Sequence, residues 1–317
     1  MKYNETKGVS ISELSLGTVQ LGVSYGINNQ SGKPDRTQAF GILDTALTNG
    51  ISALDTAAAY GDSEQVIGQW LQTVPEEKRP FITTKLKTLD HSSLDALRRS
   101  VNTQLEHSMQ QLGLSCIPCL MLHNFDEYDC DREHMRIVFD ELKQAGKIRF
   151  SGISAYAHHD YRVIAASGFD AAQIPLNIFD WRQIDNGGLD ALRASGMMIF
   201  VRSVYLQGLV FQTPEQLDPR MEFARQTLVS FRSLCGKYAL APAELALSFA
   251  LSLPGVTSLV LGSETAEQVR QNVDLLDRTA RLSEAQLNEI HTLFRDVPER
   301  LLNPSEWFNA QKFIYLT

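Results

Sequence analysis

Three ionisable residues in this chain each close a largely apolar run. Asp55 follows Ile51-Ser52-Ala53-Leu54, Lys85 follows Phe81-Ile82-Thr83-Thr84, and His123 follows Ile117-Pro118-Cys119-Leu120-Met121-Leu122. Tyr60 lies one short loop beyond the first of them, in Leu54-Asp55-Thr56-Ala57-Ala58-Ala59-Tyr60-Gly61. A carboxylate, an amine, an imidazole and a phenol are side chains that hold and pass protons. A buried run that ends at once in a titratable group is hard to explain as packing. It is what parallel barrel strands look like when they deliver side chains to the C-terminal mouth.

The elements that must position these residues alternate along the chain. Strand-like segments begin near residues 14, 51, 81, 117, 147, 171, 197 and 256, and helical spacing fills 35–49, 62–73, 92–112, 131–145, 159–166 and 188–195 between them. Asp35 is placed to cap the first of these helices and Gly50 to stop it; Asp62 or Ser63 can cap the second. Residues 9–16 read as a short strand or hairpin, and helices near 220–238, 242–252, 264–275 and 283–295 accompany the last strand. Eight β/α units with no break in composition predict one domain over residues 1–317, of the α/β class. The expected architecture is a single (β/α)8 TIM barrel with a short N-terminal strand or hairpin and extra helices in the C-terminal part. The rival, a doubly wound open sheet, would carry G-x-G-x-x-G after its first strand, and the sequence has none there. On a barrel the strand-end residues Asp55, Lys85, His123, Ser154, Gln173 and Arg202 converge on one mouth, so the set reads as an active site.

Composition narrows the partners. A formal charge of −8 and a pI near 5.4 argue against a nucleic-acid backbone binder. No run approaches the roughly 18 apolar residues that cross a bilayer, and residues 1–8 have no apolar core. The expectation is a cytoplasmic protein without a membrane partner. Cys116, Cys119, Cys130 and Cys235 are few for this length and fit a reducing compartment. A strand places Cys116 and Cys119 on opposite faces, which argues against a shared metal. His158-His159-Asp160 reads as a helix cap flanked by surface histidines, and no metal site is expected.

Asp55 with Tyr60 five residues later, then Lys85, then His123, in barrel order, resembles the tetrad of the aldo-keto reductase superfamily. The resemblance covers nearly the whole chain, from Leu16-Gly17-Thr18 through Gly152-Ile153-Ser154 and Gln173 to Leu259-Val260-Leu261-Gly262-Ser263 with Gln268 and Asn272. It implies NAD(P)H-dependent reduction of an aldehyde or ketone to an alcohol by hydride transfer, with a small carbonyl compound as substrate. A free phenol is a poor acid at neutral pH. By the resemblance, Tyr60 is the proton donor, Lys85 stabilises its phenolate, Asp55 keeps that lysine charged and oriented, and His123 hydrogen-bonds the substrate oxygen.

The same resemblance implies a cofactor-binding set. Ser154 and Gln173 would hold the carboxamide, Gly262 and Ser263 the adenosine phosphates, and Gln268 and Asn272 the adenine side. Gly17, Thr18, Asp55, Arg202, Ser203, Leu206 and Gly208 complete it. NADP(H) is the family's default cofactor. Gly262 and Gln268, however, replace basic residues that in many relatives clamp the 2′-phosphate, and Glu264 adds a negative charge, so NAD(H) is also open. Arg270 would compensate if it turned toward the site. Ala155 stands where an Asn is usual, and Arg202 stands where many relatives stack an aromatic ring on the nicotinamide. A cation there would disfavour the oxidised cofactor and raise its effective potential.

Taken singly, each tetrad residue has a structural explanation: Asp55 as a turn cap, Tyr60 as packing, Lys85 as a solvated strand end, His123 as a satisfied core histidine. Their spacing and barrel order favour the joint reading. Gln20, Tyr25, Asn124 and Trp181, with Phe179 and the tail residues Trp307, Phe308 and Phe313, are placed to wall a substrate pocket. Two other functions fit the same residues. One is a sugar or polyol dehydrogenase working in the oxidative direction. The other is a non-catalytic cofactor-binding regulatory subunit, against which an intact Tyr60 and Lys85 speak.

Overall fold

The computed structural model describes residues 1–24 and 32–307; Tyr25, Phe308 and Phe313 lie outside the described residues. The first two strands, β1 (Tyr3–Thr6) and β2 (Val9–Ser12), pair antiparallel through a turn whose Lys7 and Gly8 have φ of 49° and 73°. The hairpin thus starts six residues before the alternation at residue 9. Its first strand, Tyr-Asn-Glu-Thr, buries no face and carries no apolar period.

Eight parallel strands follow: β3 (Leu14–Gly17), β4 (Ala53–Asp55), β5 (Phe81–Leu86), β6 (Ile117–Leu122), β7 (Ile148–Ser154), β8 (Ala171–Pro175), β9 (Met198–Arg202) and β10 (Val256–Gly262). They pair in sequence order, and β10 pairs with both β9 and β3, which closes the expected (β/α)8 barrel.

Closure divides the apolar residues into two cores. Inside the barrel, Cys119, Met121, Phe150, Met198 and Phe200 fill the lower layers, and Ile11 of the hairpin enters from below. The Phe81 ring lies 6.0 Å from that of Phe150 and 6.5 Å from that of Phe200. Outside, alternate strand residues such as Leu54, Leu120, Ile153 and Ile199 pack against the helices. Both faces are buried, so the strands read as continuous apolar runs.

Register makes the site. Asp55 pairs with Thr83, Lys85 with Met121, Ser154 with Gln173, Gln173 with Phe200, and Pro175 with Arg202. Side chains two residues apart share a face. Lys85 therefore stands one step above Thr83 on the face of Asp55, and His123 one step above Met121 on the face of Lys85. Ser154, Gln173 and Arg202 continue the inward-facing set around the ring. All but Gln173, which sits mid-strand on β8, lie at or next to the C-terminal end of their strands, so the set opens on one mouth.

The helices follow the sequence closely. Asp35 caps Arg36–Thr48 through a reciprocal pair with Gln38, as expected. Helix Ser63–Leu71 corrects the second cap. Asp62 takes the cap position without a side-chain cap bond and pairs with Lys33 instead, while the buried Ser63 hydroxyl donates to the Thr18 carbonyl.

Candidate active site

The centre of the mouth is an ion pair with no exposure to speak of. Lys85 Nζ donates to both carboxylate oxygens of Asp55, at 2.8 and 2.9 Å, and to the carbonyl of Thr56 at 2.9 Å. Three donors meet three acceptors, so the ammonium is fully satisfied. Burial alone pushes the Lys85 pKa down, but the Asp55 and Tyr60 charges more than reverse this, and it is raised above the ordinary lysine value. The lysine is charged at any physiological pH. Asp55 Oδ1 also accepts from Gln173 Nε2 at 2.7 Å. Because a carboxylate can only accept, that bond fixes the Gln173 amide with its nitrogen toward Asp55.

Tyr60 lies over this pair, with Lys85 Nζ 5.0 Å from its ring centroid. Burial is the largest influence on its pKa and raises it. Lys85 opposes that, Asp55 adds to it and Arg202 opposes it, and the net direction is upward. The phenol therefore keeps its proton at neutral pH, and the cation beside it stabilises the phenolate left after that proton is given away. The His123 ring stands edge-on to Tyr60, with centroids 5.7 Å apart and planes at 80°. Burial, then Lys85, Arg202 and Lys87, push its pKa down to about 3. His123 is thus a neutral hydrogen-bonding group, and its Nδ1 is buried without a partner among the described residues.

Tyr60 is placed by residues that side-chain chemistry alone does not single out. Gly22, in the first loop, packs so closely that a Cβ there would fall 1.6 Å from the Tyr60 carbonyl oxygen, and one on Gly61 would fall 2.5 Å from the Gly22 carbonyl. Gly61 also has φ of 57°. Only glycine fits such an approach of two backbones. Beneath them Ser63 contacts Thr18 and Thr56, and Thr18 donates through both its N–H and its hydroxyl to the Asp55 carbonyl.

The residues expected to hold a cofactor lie on the other staves. Gly17, Ser154, Arg202 and Gly262 end β3, β7, β9 and β10, and Gln173 sits mid-strand on β8; these five strands are contiguous in the ring. The backbone after β9 is strained, with positive φ at Ser203 (65°), Leu206 (44°), Gln207 (50°) and Gly208 (93°). Such strain clusters at ligand clamps, and successive left-handed N–H groups form anion-binding concavities. Beside it, Gln20 Oε1 is buried without a partner among the described residues, and a Cβ on Gly262 would meet the Gln20 amide at 2.4 Å. An orphaned acceptor and a glycine cradle suit a large polar guest. Arg202 donates to the Ala155 carbonyl at 3.0 Å and lies 5.1 Å from the Tyr156 ring centroid.

Several expected residues are engaged elsewhere. The Thr18 side chain is buried and turned to Asp55, which leaves its hydroxyl unavailable to a guest. Trp181 packs against Phe249 and His291 and donates to the Ile178 carbonyl, so its place is in helix packing and not in the pocket wall; Phe179 packs likewise on Phe231 and Phe294. Asn124 bonds Asp126, the Gln268 side chain accepts from the Glu264 N–H, and Asn272 Nδ2 donates to Ser263. Arg270 is held by Glu267 on the surface. Asp160 caps its short helix as expected, but His159 is buried rather than on the surface, its Nδ1 accepting the Tyr156 N–H. Among the described residues no group of three metal-ligating side chains converges, and no single helix is long and apolar enough to cross a membrane.

Comparison with known proteins agrees with this arrangement. The model of the Aldo/keto reductase family matches residues 13–294. An NADH-specific methylglyoxal reductase of Escherichia coli (strain K12) is 28% identical over 328 residues, covering 93% of this chain and 97% of that protein. An uncharacterized oxidoreductase of Bacillus subtilis (strain 168) is 26% identical over 306 residues, covering 90% and 94%. Among solved structures, the holo form of an aldo-keto reductase from Bacillus halodurans superposes with a TM-score of 0.74 at 23% identity, covering 96% of this chain and all of that one.

Proposed function

The chain belongs to the aldo/keto reductase family, and on that premise we propose that it reduces small aldehydes or ketones to alcohols, with Tyr60 as the proton donor. The observation that carries this reading is the buried, fully satisfied Lys85–Asp55 pair under a phenol that stays protonated at neutral pH. A reduced nicotinamide held at the mouth would supply the hydride to the carbonyl carbon. The chain's own residues do the rest. Tyr60 gives its proton to the carbonyl oxygen, and Lys85 stabilises the phenolate that remains. Asp55 holds Lys85 in place. His123, neutral above about pH 3, orients the substrate oxygen by hydrogen bonding and adds no competing acid. Gln173, anchored to Asp55 by its nitrogen, has its carbonyl oxygen left to accept from a bound nicotinamide's carboxamide and would help hold it.

For the cofactor we favour NAD(H) over the NADP(H) expected from the family default. The E. coli relative is NADH-specific. Among the described residues Arg270 is engaged by Glu267 and Lys33 by Asp62, so neither is offered to a 2′-phosphate, which is held best by a cation. Fluorescence titration should give tighter binding of NADH than of NADPH. With NADH and a panel of small aldehydes, wild type should turn over and Tyr60→Phe should lose about 10²-fold or more in kcat while binding NADH unchanged. Equal turnover by the two proteins would sink the proton-donor role.

A further inference from the structure

The mouth holds a cation that no carboxylate among the described residues neutralises. Arg202 is half-buried at the end of β9, and among the described residues it meets the Ala155 carbonyl, the Ser203 hydroxyl at 3.4 Å and the Tyr156 ring face. These orient a guanidinium but do not cancel its charge. Among the described residues no carboxylate forms an ion pair with it, whereas Arg98, Arg182 and Arg220 each have one. A half-buried charge without a counter-charge is costly and persists where a ligand answers it.

The position of this charge matters as much as its isolation. Its field reaches both Tyr60 and His123, the two side chains proposed to face the carbonyl oxygen, and Lys87 acts on His123 in the same sense. Arg202 also stands one step above Phe200, the β9 partner of Gln173, on the inward face, and so opens on the same mouth as the proton donor. Two of its five N–H groups are occupied, which leaves donors for a planar anion. The chain as a whole carries −8, so a cationic mouth would concentrate anions against the general field.

We propose that Arg202 receives an anionic group on the substrate, which makes short carbonyl compounds bearing a carboxylate or phosphate the preferred substrates over their neutral counterparts. The inference rests on the reductase reading and names the substrate class of that site. The reaction is unchanged: hydride from the reduced nicotinamide goes to the carbonyl carbon and the Tyr60 proton to its oxygen, while the anionic group takes no part in bond making.

Two matched pairs test it, 4-oxobutanoate against butanal and glyceraldehyde 3-phosphate against glyceraldehyde, with wild type, Arg202→Met and Arg202→Lys. Wild type should show at least about tenfold higher kcat/KM for the charged member of one pair, as a charge-assisted contact predicts. The pair concerned identifies the anion. Arg202→Met should abolish that preference and Arg202→Lys should restore part of it, with thermal unfolding confirming that both variants fold. No preference in either pair, or a preference untouched by Arg202→Met, overturns the proposal. Calorimetric binding of butanoate and butanamide to the protein with NADH separates this from failure of the reductase reading. If no carbonyl is turned over, butanoate binding that is lost in Arg202→Met still supports the anion site, and equal binding by both proteins refutes it.

Discussion

The rim of this barrel divides into two arcs whose charged groups are answered differently. On β4 to β6, Asp55 and Lys85 answer each other completely, and Thr56 takes the last ammonium hydrogen. On β7 to β10 and β3, Gln20 Oε1 is an orphan, four backbone residues after β9 have positive φ, and Arg202 has no counter-charge among the described residues. The first arc is organised before anything binds, as an electrostatic catalyst must be. The second is organised for something that has yet to arrive. Gln173 joins them: it stands on the second arc and donates to Asp55 on the first.

Breaking the first arc should give the largest effect. Lys85→Met leaves the Asp55 carboxylate buried without its cation, and removing one partner of a buried pair costs about 3–5 kcal/mol. Denaturant unfolding should show a loss of that order, and reduction of any aldehyde should fall by about 10²-fold or more. The equivalent break on the second arc should leave stability nearly unchanged. A small stability loss in Lys85→Met would mean that the pair is less closed than its three bonds indicate.

The two arcs also differ in how much of them was legible in the sequence. Asp55, Lys85 and His123 are titratable groups at the ends of apolar runs, and strand parity then fixes which face they share. The barrel itself was legible for the same reason, since strands buried on both faces read as uninterrupted apolar segments. Gly22 and Gly61 were visible only as loop glycines. Their task, letting the first loop touch the Tyr60 backbone, is a contact between segments nearly 40 residues apart, and no local pattern encodes it. The direction of the Thr18 side chain was not legible, because its hydroxyl follows a hydrogen bond to the Asp55 carbonyl that only the closed barrel creates. Trp181 was misread because an aromatic residue after a strand fits a pocket wall and a helix interface equally well.

Acid sharpens the comparison by an intermediate amount. His123 has its folded pKa pushed down to about 3 and His159 to about 4, each chiefly by burial, from an ordinary 6.5. Between those limits the unfolded chain binds protons that the folded chain refuses. Stability is therefore fully present above pH 6.5 and is lost as pH falls, with a slope of at most about 1.4 kcal/mol per pH unit for each histidine. His123→Gln should flatten the unfolding free energy between pH 6 and 4, measured against wild type. His123 is held neutral by cations from both arcs, so an Arg202→Met background should raise its pKa in an NMR titration. An unchanged slope in His123→Gln would place the acid sensitivity elsewhere.

The smallest effect should come from the second arc alone. If the guanidinium of Arg202 lies near a bound nicotinamide, it disfavours the positively charged oxidised ring relative to the neutral reduced one. Arg202 is only half-buried, so solvent screens the interaction to about 0.5–1 kcal/mol, or roughly two- to fivefold. Arg202→Tyr should lower the ratio of the NAD⁺ to the NADH dissociation constant by that factor, as read from paired fluorescence titrations, while unfolding stability stays near wild type. The sign is decisive. A ratio that rises, or stability that falls as far as in Lys85→Met, would show that Arg202 belongs to the internally satisfied part of the rim after all, and the division between the two arcs would have to be redrawn on the other side of β9.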